Sequence, residues 1–236
     1  MTRTQFRTTL NPMSTQSTST RPNRSRADAD RARLLDAALP HVPFEGWSGA
    51  LLRLAARDAR MSADEAALYC PDGVLSLIVF WWRDMDARAQ DAISAGESPA
   101  KIRERIRRAV LLRLEAGSGH EDALARARAR LLLPDGIATG AELAWNTSDM
   151  IWRAIGDTST DANWYSKRAI LTGVWTSTLA IWLAEADAEK PDTHAFLDRR
   201  IANVMEFEKA KARVNKQLAR LPDFAAMAAK MRYGTR

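Results

Sequence analysis

The sequence predicts an all-α protein, on three observations. Apolar residues recur at three-to-four spacing along almost every segment, the period of a helix face. β-Branched runs with strict alternation are nearly absent. Glycine (11) and proline (9) are sparse in 236 residues, and where they cluster they punctuate the helical patterns. A chain of this length builds one large or two small units with a sizeable core. A count of about nine or ten helices follows from the segments below.

Residues 1 to 26 contain no acid and are rich in Thr, Ser and Arg, the composition of a disordered basic tail. The same composition suits an organellar targeting segment, and Met13 is an alternative start. A first helix spans residues 28 to 39, stopped by Pro40 and Pro43, and a second spans 48 to 59. Ser62 with Glu65 three residues on forms a capping box and opens a short third helix ending before Pro71. A long, strongly apolar fourth helix runs from 74 to about 93 and completes a first unit, 27–95.

The next unit, 96–192, opens with a helix over 101–116, its stripe Ile102, Ile106, Val110 and Leu114, with Arg103, Arg105, Arg107, Arg108 and Arg113 assigned to the solvent side. Helices over 121–133 and 140–155 follow. A polar turn, Gly156-Asp157-Thr158-Ser159-Thr160-Asp161, leads into a helix carrying Trp164, Tyr165, Trp175 and Trp182, with Ser159, Thr160 or Asp161 as its N-cap. Five of the eight tryptophans lie between Trp145 and Trp182; they form either a bulky core or the lining of a pocket. The last unit, 193–236, is a long helix broken at Pro222 and a short amphipathic one striped by Phe224, Met227 and Met231. Three such side chains near Lys230 and Arg232 suit a bilayer surface or a partner subunit equally.

The sequence offers no catalytic set. His41, His120 and His194 stand far apart, none with a Glu three residues before it. There is no Gly-rich phosphate loop, no Cys-x-x-Cys and no nucleophile elbow. Asp157 and Asp161 are read as capping and solvated carboxylates, and Cys70 as a small buried apolar group. Neither cofactor nor metal is expected. No apolar run reaches the ~18 residues a bilayer span needs. The net charge of +6 invites a polyanionic or anionic-membrane partner, but the cations are spread along many helices.

Leu34 to Ala38, Gly46-Trp47, Leu54-Ala55 and Ala67 to Tyr69, followed by a long helix, resemble the N-terminal unit of TetR-type transcription regulators. In such a unit the third helix enters the major groove and needs donors and cations. Here it reads Ser62-Ala63-Asp64-Glu65, so DNA is not expected as a partner. A ligand-responsive regulator is kept as the alternative function.

With Gly156 to Asp161, Asn163-Trp164-Tyr165 and Arg168 in view, and Phe196-Leu197-Asp198-x-Arg200 fitting as well, residues 30 to 210 resemble the ninth coenzyme Q biosynthesis accessory family, whose fold is TetR-like. The resemblance implies a non-enzymatic homodimer that binds an isoprenoid quinone intermediate and presents it to the Coq-seven type di-iron demethoxyubiquinone hydroxylase. It implies Trp164 and Tyr165 as partner-facing aromatics, with Arg168 in the same motif and Ile151 at a family Met position. It assigns Trp145, Trp152, Trp175, Leu179 and Trp182 to the lipid cavity, and Phe224, Met227 and Met231 to a membrane-docking helix. The expected place is the cytoplasmic face of a bacterial inner membrane, or alternatively the matrix face of the mitochondrial one.

Overall fold

A computed structural model describes residues 25–160 and 162–218, with side chains up to residue 206 except that of residue 162. All described regular structure is helical: α1 (Arg26–Ala38), a 3₁₀ turn (Leu39–His41), α2 (Val42–Glu45), α3 (Gly49–Asp58), α4 (Ala63–Tyr69), α5 (Val74–Ala95), α6 (Ile102–Glu115), α7 (Glu121–Leu131), α8 (Ile137–Ala154), α9 (Ala162–Ala184) and α10 (Pro191–Leu218). Phe224, Met227, Met231, Pro222, Asp161 and the first 24 residues lie outside the described residues.

The N-terminal unit is α1, α3 and α4 packed on the start of α5. Leu34, Ala38, Leu51 and Ala55 are fully buried in one core with Leu77 and Ile78 of α5. Burying each Leu contributes roughly 1.5–3 kcal/mol. Pro40 and Pro43 end α1 as expected, but each then sits in the first turn of a new helical piece. A missing N–H costs nothing there and the ring presets φ. The capping box of α4 is present. Ser62 Oγ accepts from the Glu65 N–H at 3.2 Å, and Glu65 accepts from the Ser62 N–H at 2.8 Å. Trp47, in the turn before α3, donates its indole N–H to the Ala123 carbonyl at 2.9 Å and so joins this unit to α7.

The second half is organised around α8, which packs on α5 and α9. On its α5 side, Asp86 takes the Arg113 Nε–H at 2.5 Å and faces the Thr147 hydroxyl at 3.0 Å. Thr147 in turn accepts from the Trp82 indole at 2.9 Å. Arg113 is 1% exposed, so its assignment to the solvent side of α6 is corrected. The reason is visible in the spacing: Arg113 stands three residues after Val110 and seven after Ile106, on the core-facing stripe. Its guanidinium carbon lies 5.1 and 5.0 Å from the ring centres of Trp82 and Trp175, which replace water around the charge.

α9 and α10 form an antiparallel pair joined by residues 185–190. Lys190 closes the joint, at φ +50°, by donating to the Trp182 and Glu185 carbonyls, which the end of α9 leaves unpaired.

Candidate functional site

A cleft of about 560 Å³ lies between α6, the C-terminal turns of α8, the loop 155–160, α9 and α10. Its size is that of a small-molecule or lipid site. One face of α9 supplies Asn163, Ser166, Lys167, Ile170, Leu171 and Val174, at the three-to-four spacing of a single helix stripe. Opposite stand Ile201, Val204 and Met205 of α10, and Ile102 and Ile106 of α6. Trp152 and Ile155 form the floor toward α8. Ile102 and Met205 remain 42% and 36% exposed, as rim residues of an open cleft do.

The loop is fixed at both ends. α8 stops at Ala154, and Gly156 turns the chain with φ +86°, a conformation that strains any residue bearing a Cβ. Asp157 then anchors the loop to α9. Its carboxylate accepts from Lys167 Nζ at 2.8 Å, from the Ser159 hydroxyl at 2.9 Å and from Arg168 Nη1 at 3.4 Å. Lys167 Nζ also donates to Ser159 Oγ at 2.5 Å and sits 5.3 Å from the Trp152 ring centre. Sequence reasoning gave Asp157 a capping or solvated role. The structure instead makes it a two-cation anchor, with its side chain 6% exposed.

Arg168 is the second anchor. At 1% exposure it donates Nε–H to Asp149 at 2.5 Å and Nη1–H to the Trp164 carbonyl at 3.2 Å, and its guanidinium carbon lies 3.9 Å from the Trp164 ring centre. Asp149 is shared with Arg153 one turn on. This network holds an aromatic cluster at the start of α9. Trp164 lies 5.9 Å from Trp145 and 4.7 Å from Tyr165, and Tyr165 is 66% exposed.

Burial alone would raise the Asp157 carboxyl, but hydrogen bonds from Lys167 and Ser159, the Lys167 charge and the Arg168 hydrogen bond outweigh it and hold it below the ordinary carboxylate range. Its folded value is thus below its unfolded value of about 4. The stability it contributes is full above that value and is lost as pH falls through the folded one. Asp157→Asn is expected to lower stability at neutral pH and to flatten the acid limb below about pH 4, read by urea melts between pH 3 and 7.

The residues predicted from sequence divide by place. Of the five assigned to a lipid cavity, Trp152 lines this cleft. Trp175 and Leu179 are fully buried, Trp175 against Trp82 and Arg113. Trp182 borders a separate, more polar cleft near His194 and Lys190, and Trp145 stacks on Trp164. Of the partner-facing set, Tyr165 is exposed, Trp164 half-buried, and Ile151 and Arg168 buried, Arg168 against the Trp164 ring. Arg168 therefore supports the aromatics from below, and Ile151 is a core residue. Sequence reasoning passed over Ile155, Ile170, Val174, Ile201 and Met205. The signal was the stripe 163, 166, 167, 170, 171, 174, which is polar at its start and apolar after.

Comparison with known proteins bears on the same segment. Residues 137–208, which carry α8, α9 and the start of α10, match the COQ9 family model. The chain is 32% identical over 181 residues to the mitochondrial ubiquinone biosynthesis protein COQ9 of Xenopus tropicalis, covering 73% of this chain and 57% of that protein. It is 31% identical to that of Rattus norvegicus (73% and 58%) and 28% identical to that of Homo sapiens (73% and 57%). The chain thus spans a little under three fifths of the length of these curated relatives. Among solved structures, a TetR transcriptional regulator from Nitrosomonas europaea shares the fold, with a TM-score of 0.59 at 18% identity over 73% of this chain and 95% of that one.

Proposed function

Because the chain belongs to the COQ9 family, we propose that it serves ubiquinone biosynthesis by binding an isoprenoid quinone intermediate in the α6–α10 cleft. It presents this intermediate, without chemistry of its own, to the di-iron demethoxyubiquinone hydroxylase. The observation that carries the reading is the adjacency of two features on α9. An apolar cleft lined by Trp152, Ile170, Leu171 and Val174 opens within a turn of the aromatic cluster of Trp164 and Tyr165. An apolar tail needs such walls, and an exposed Tyr on a rigid support is a frequent anchor of protein interfaces. Among the described residues no helix is long and apolar enough to cross a membrane. Contact with a lipid surface is assigned to the segment of Phe224, Met227 and Met231, on a homodimer at the cytoplasmic face of a bacterial inner membrane.

The regulator alternative meets an opposing charge. Asp64 and Glu65 are exposed in the first turn of α4, and α4 carries no cation. Phosphates would be repelled where a reading helix must attract them.

The test is binding of the purified protein to the hydroxylase of the same organism by interferometry. Tyr165→Ala is expected to weaken the complex by roughly 30-fold, the ~2 kcal/mol of an interface hot spot. The melting temperature should hold, because the ring is 66% exposed. Unchanged affinity would remove the aromatic cluster from the interface.

A further inference from the structure

The α9 wall of the cleft changes polarity in one direction, while α6 contributes Ile102, Arg105 and Ile106. Along the cleft-lining stripe of α9, Asn163, Ser166 and Lys167 come first and Ile170, Leu171 and Val174 follow. Asp157, Thr158 and Ser159 of the loop lie at the polar end. α10 returns antiparallel, so Met205, Val204 and Ile201 run beside Ile170, Leu171 and Val174. Lys167 and Val174 are separated by about 10 Å of helix rise. The ammonium of Lys167 has three N–H groups. Two are taken by Asp157 and Ser159, and the third has no hydrogen-bond acceptor among the described residues, on a side chain that lines the cleft beside the Trp152 ring and is 37% exposed. Asp157 at 2.8 Å offsets part of the charge, but Arg168 shares that carboxylate at 3.4 Å, so Lys167 offers the cleft a charged hydrogen-bond donor.

We propose that the cleft holds its lipid in one orientation. The tail lies between Ile170–Val174 of α9 and Ile201–Met205 of α10, and a neutral oxygen-bearing head sits at the loop end, where a head oxygen accepts the free N–H of Lys167. This rests on the quinone-lipid reading above and adds which end faces which way. The head then stands within one helical turn of Tyr165, on the side assigned to the hydroxylase. Asp157 and Ser159 are positioning residues, because they aim the ammonium.

Fluorescence titration of the full chain distinguishes the ends. The probes are ubiquinone with two isoprene units, the head-less hydrocarbon farnesane, and vesicles of dioleoyl phosphatidylglycerol as competitor. The wild type is expected to bind the quinone about tenfold more tightly than farnesane, the worth of one hydrogen bond from a charged donor. Lys167→Met should reduce that preference to about twofold with farnesane binding unchanged, and Lys167→Arg should retain most of it. Val174→Trp, which fills the tail end, should abolish binding of both. A full quinone preference in a folded Lys167→Met protein would overturn the head assignment alone. So would Lys167-dependent displacement of the quinone by phosphatidylglycerol, which would make the head anionic. A wild type that binds neither quinone nor farnesane would instead overturn the lipid-cleft reading beneath it.

Discussion

Arg113→Ala is expected to destabilise the protein by about 5 kcal/mol, the upper range for breaking a buried ion pair by removing one partner. A loss of that size lowers the melting midpoint by roughly 10–20 °C in a chain of this length. Three effects add. Asp86 loses its buried cation and keeps, among the described residues, the Thr147 hydroxyl as its hydrogen-bond partner. Trp82 and Trp175 lose the guanidinium that lies about 5 Å from each ring centre. A void opens among side chains that are almost wholly buried. Burial already pushes the Asp86 carboxyl above its ordinary value, against the opposing charge and hydrogen bond of Arg113. Without Arg113 the upward push is opposed only by the weaker Thr147 hydrogen bond and the Arg83 charge. A carboxyl raised in the fold weakens stability as pH rises from the unfolded toward the folded value. The deficit of Arg113→Ala should therefore be smaller at pH 5 than at pH 8, and chemical denaturation at both values checks this. The double variant Asp86→Leu/Arg113→Leu should recover most of the loss, because no charge is then stranded. Thr147 stays satisfied in it by the Trp82 indole and the Leu143 carbonyl.

Arg168→Ala is the second large effect, about 3 kcal/mol, with a consequence for function that Arg113→Ala lacks. The stability loss is moderated because Asp149 keeps Arg153 and Asp157 keeps Lys167. What is not replaced is the support of the aromatic cluster. Trp164 loses both the cation 3.9 Å from its ring centre and the guanidinium that binds its carbonyl. Arg168→Lys should fall short of rescue, since one ammonium cannot match the planar fork that reaches Asp149, Asp157 and the Trp164 carbonyl together. Under the proposed function, the expected result is weaker hydroxylase binding for both variants at temperatures where both remain folded, ordered Ala below Lys below wild type.

Much of this architecture is legible in the chain because it rests on local rules. Ser62 and Glu65 announce a helix start, and the Ile106-Val110-Leu114 stripe announces a buried face, without reference to any distant residue. The candidate site is less legible, because its parts are defined by what lies across from them. The spacing puts Arg113 on the core-facing stripe, but the partner that lets its charge be buried there, Asp86, stands 27 residues earlier. Trp175 and Trp152 are chemically alike, yet one faces a guanidinium in the core and the other floors the cleft. Composition carries no information about which neighbour a tryptophan meets. The Trp164-Tyr165 pair was readable as special only through a family resemblance. That Tyr165 is the accessible member follows from the network that folds Arg168 under Trp164.

The indole of Trp47 gives the N-terminal unit a mechanical character. A module that swings on its own joint needs a seam of weak, separable contacts. Here the seam is crossed by a buried hydrogen bond to the Ala123 carbonyl, 76 residues away, and by the packing of Trp47 on Trp81 at 5.7 Å. Parting them would exchange that hydrogen bond for water, a net cost of about 0.5–1.5 kcal/mol, and would expose the buried Trp47 and Trp81 rings as well. The unit that outwardly looks like a detachable reading head is therefore a rigid end-cap, and a ligand arriving in the cleft has no free lever there to move.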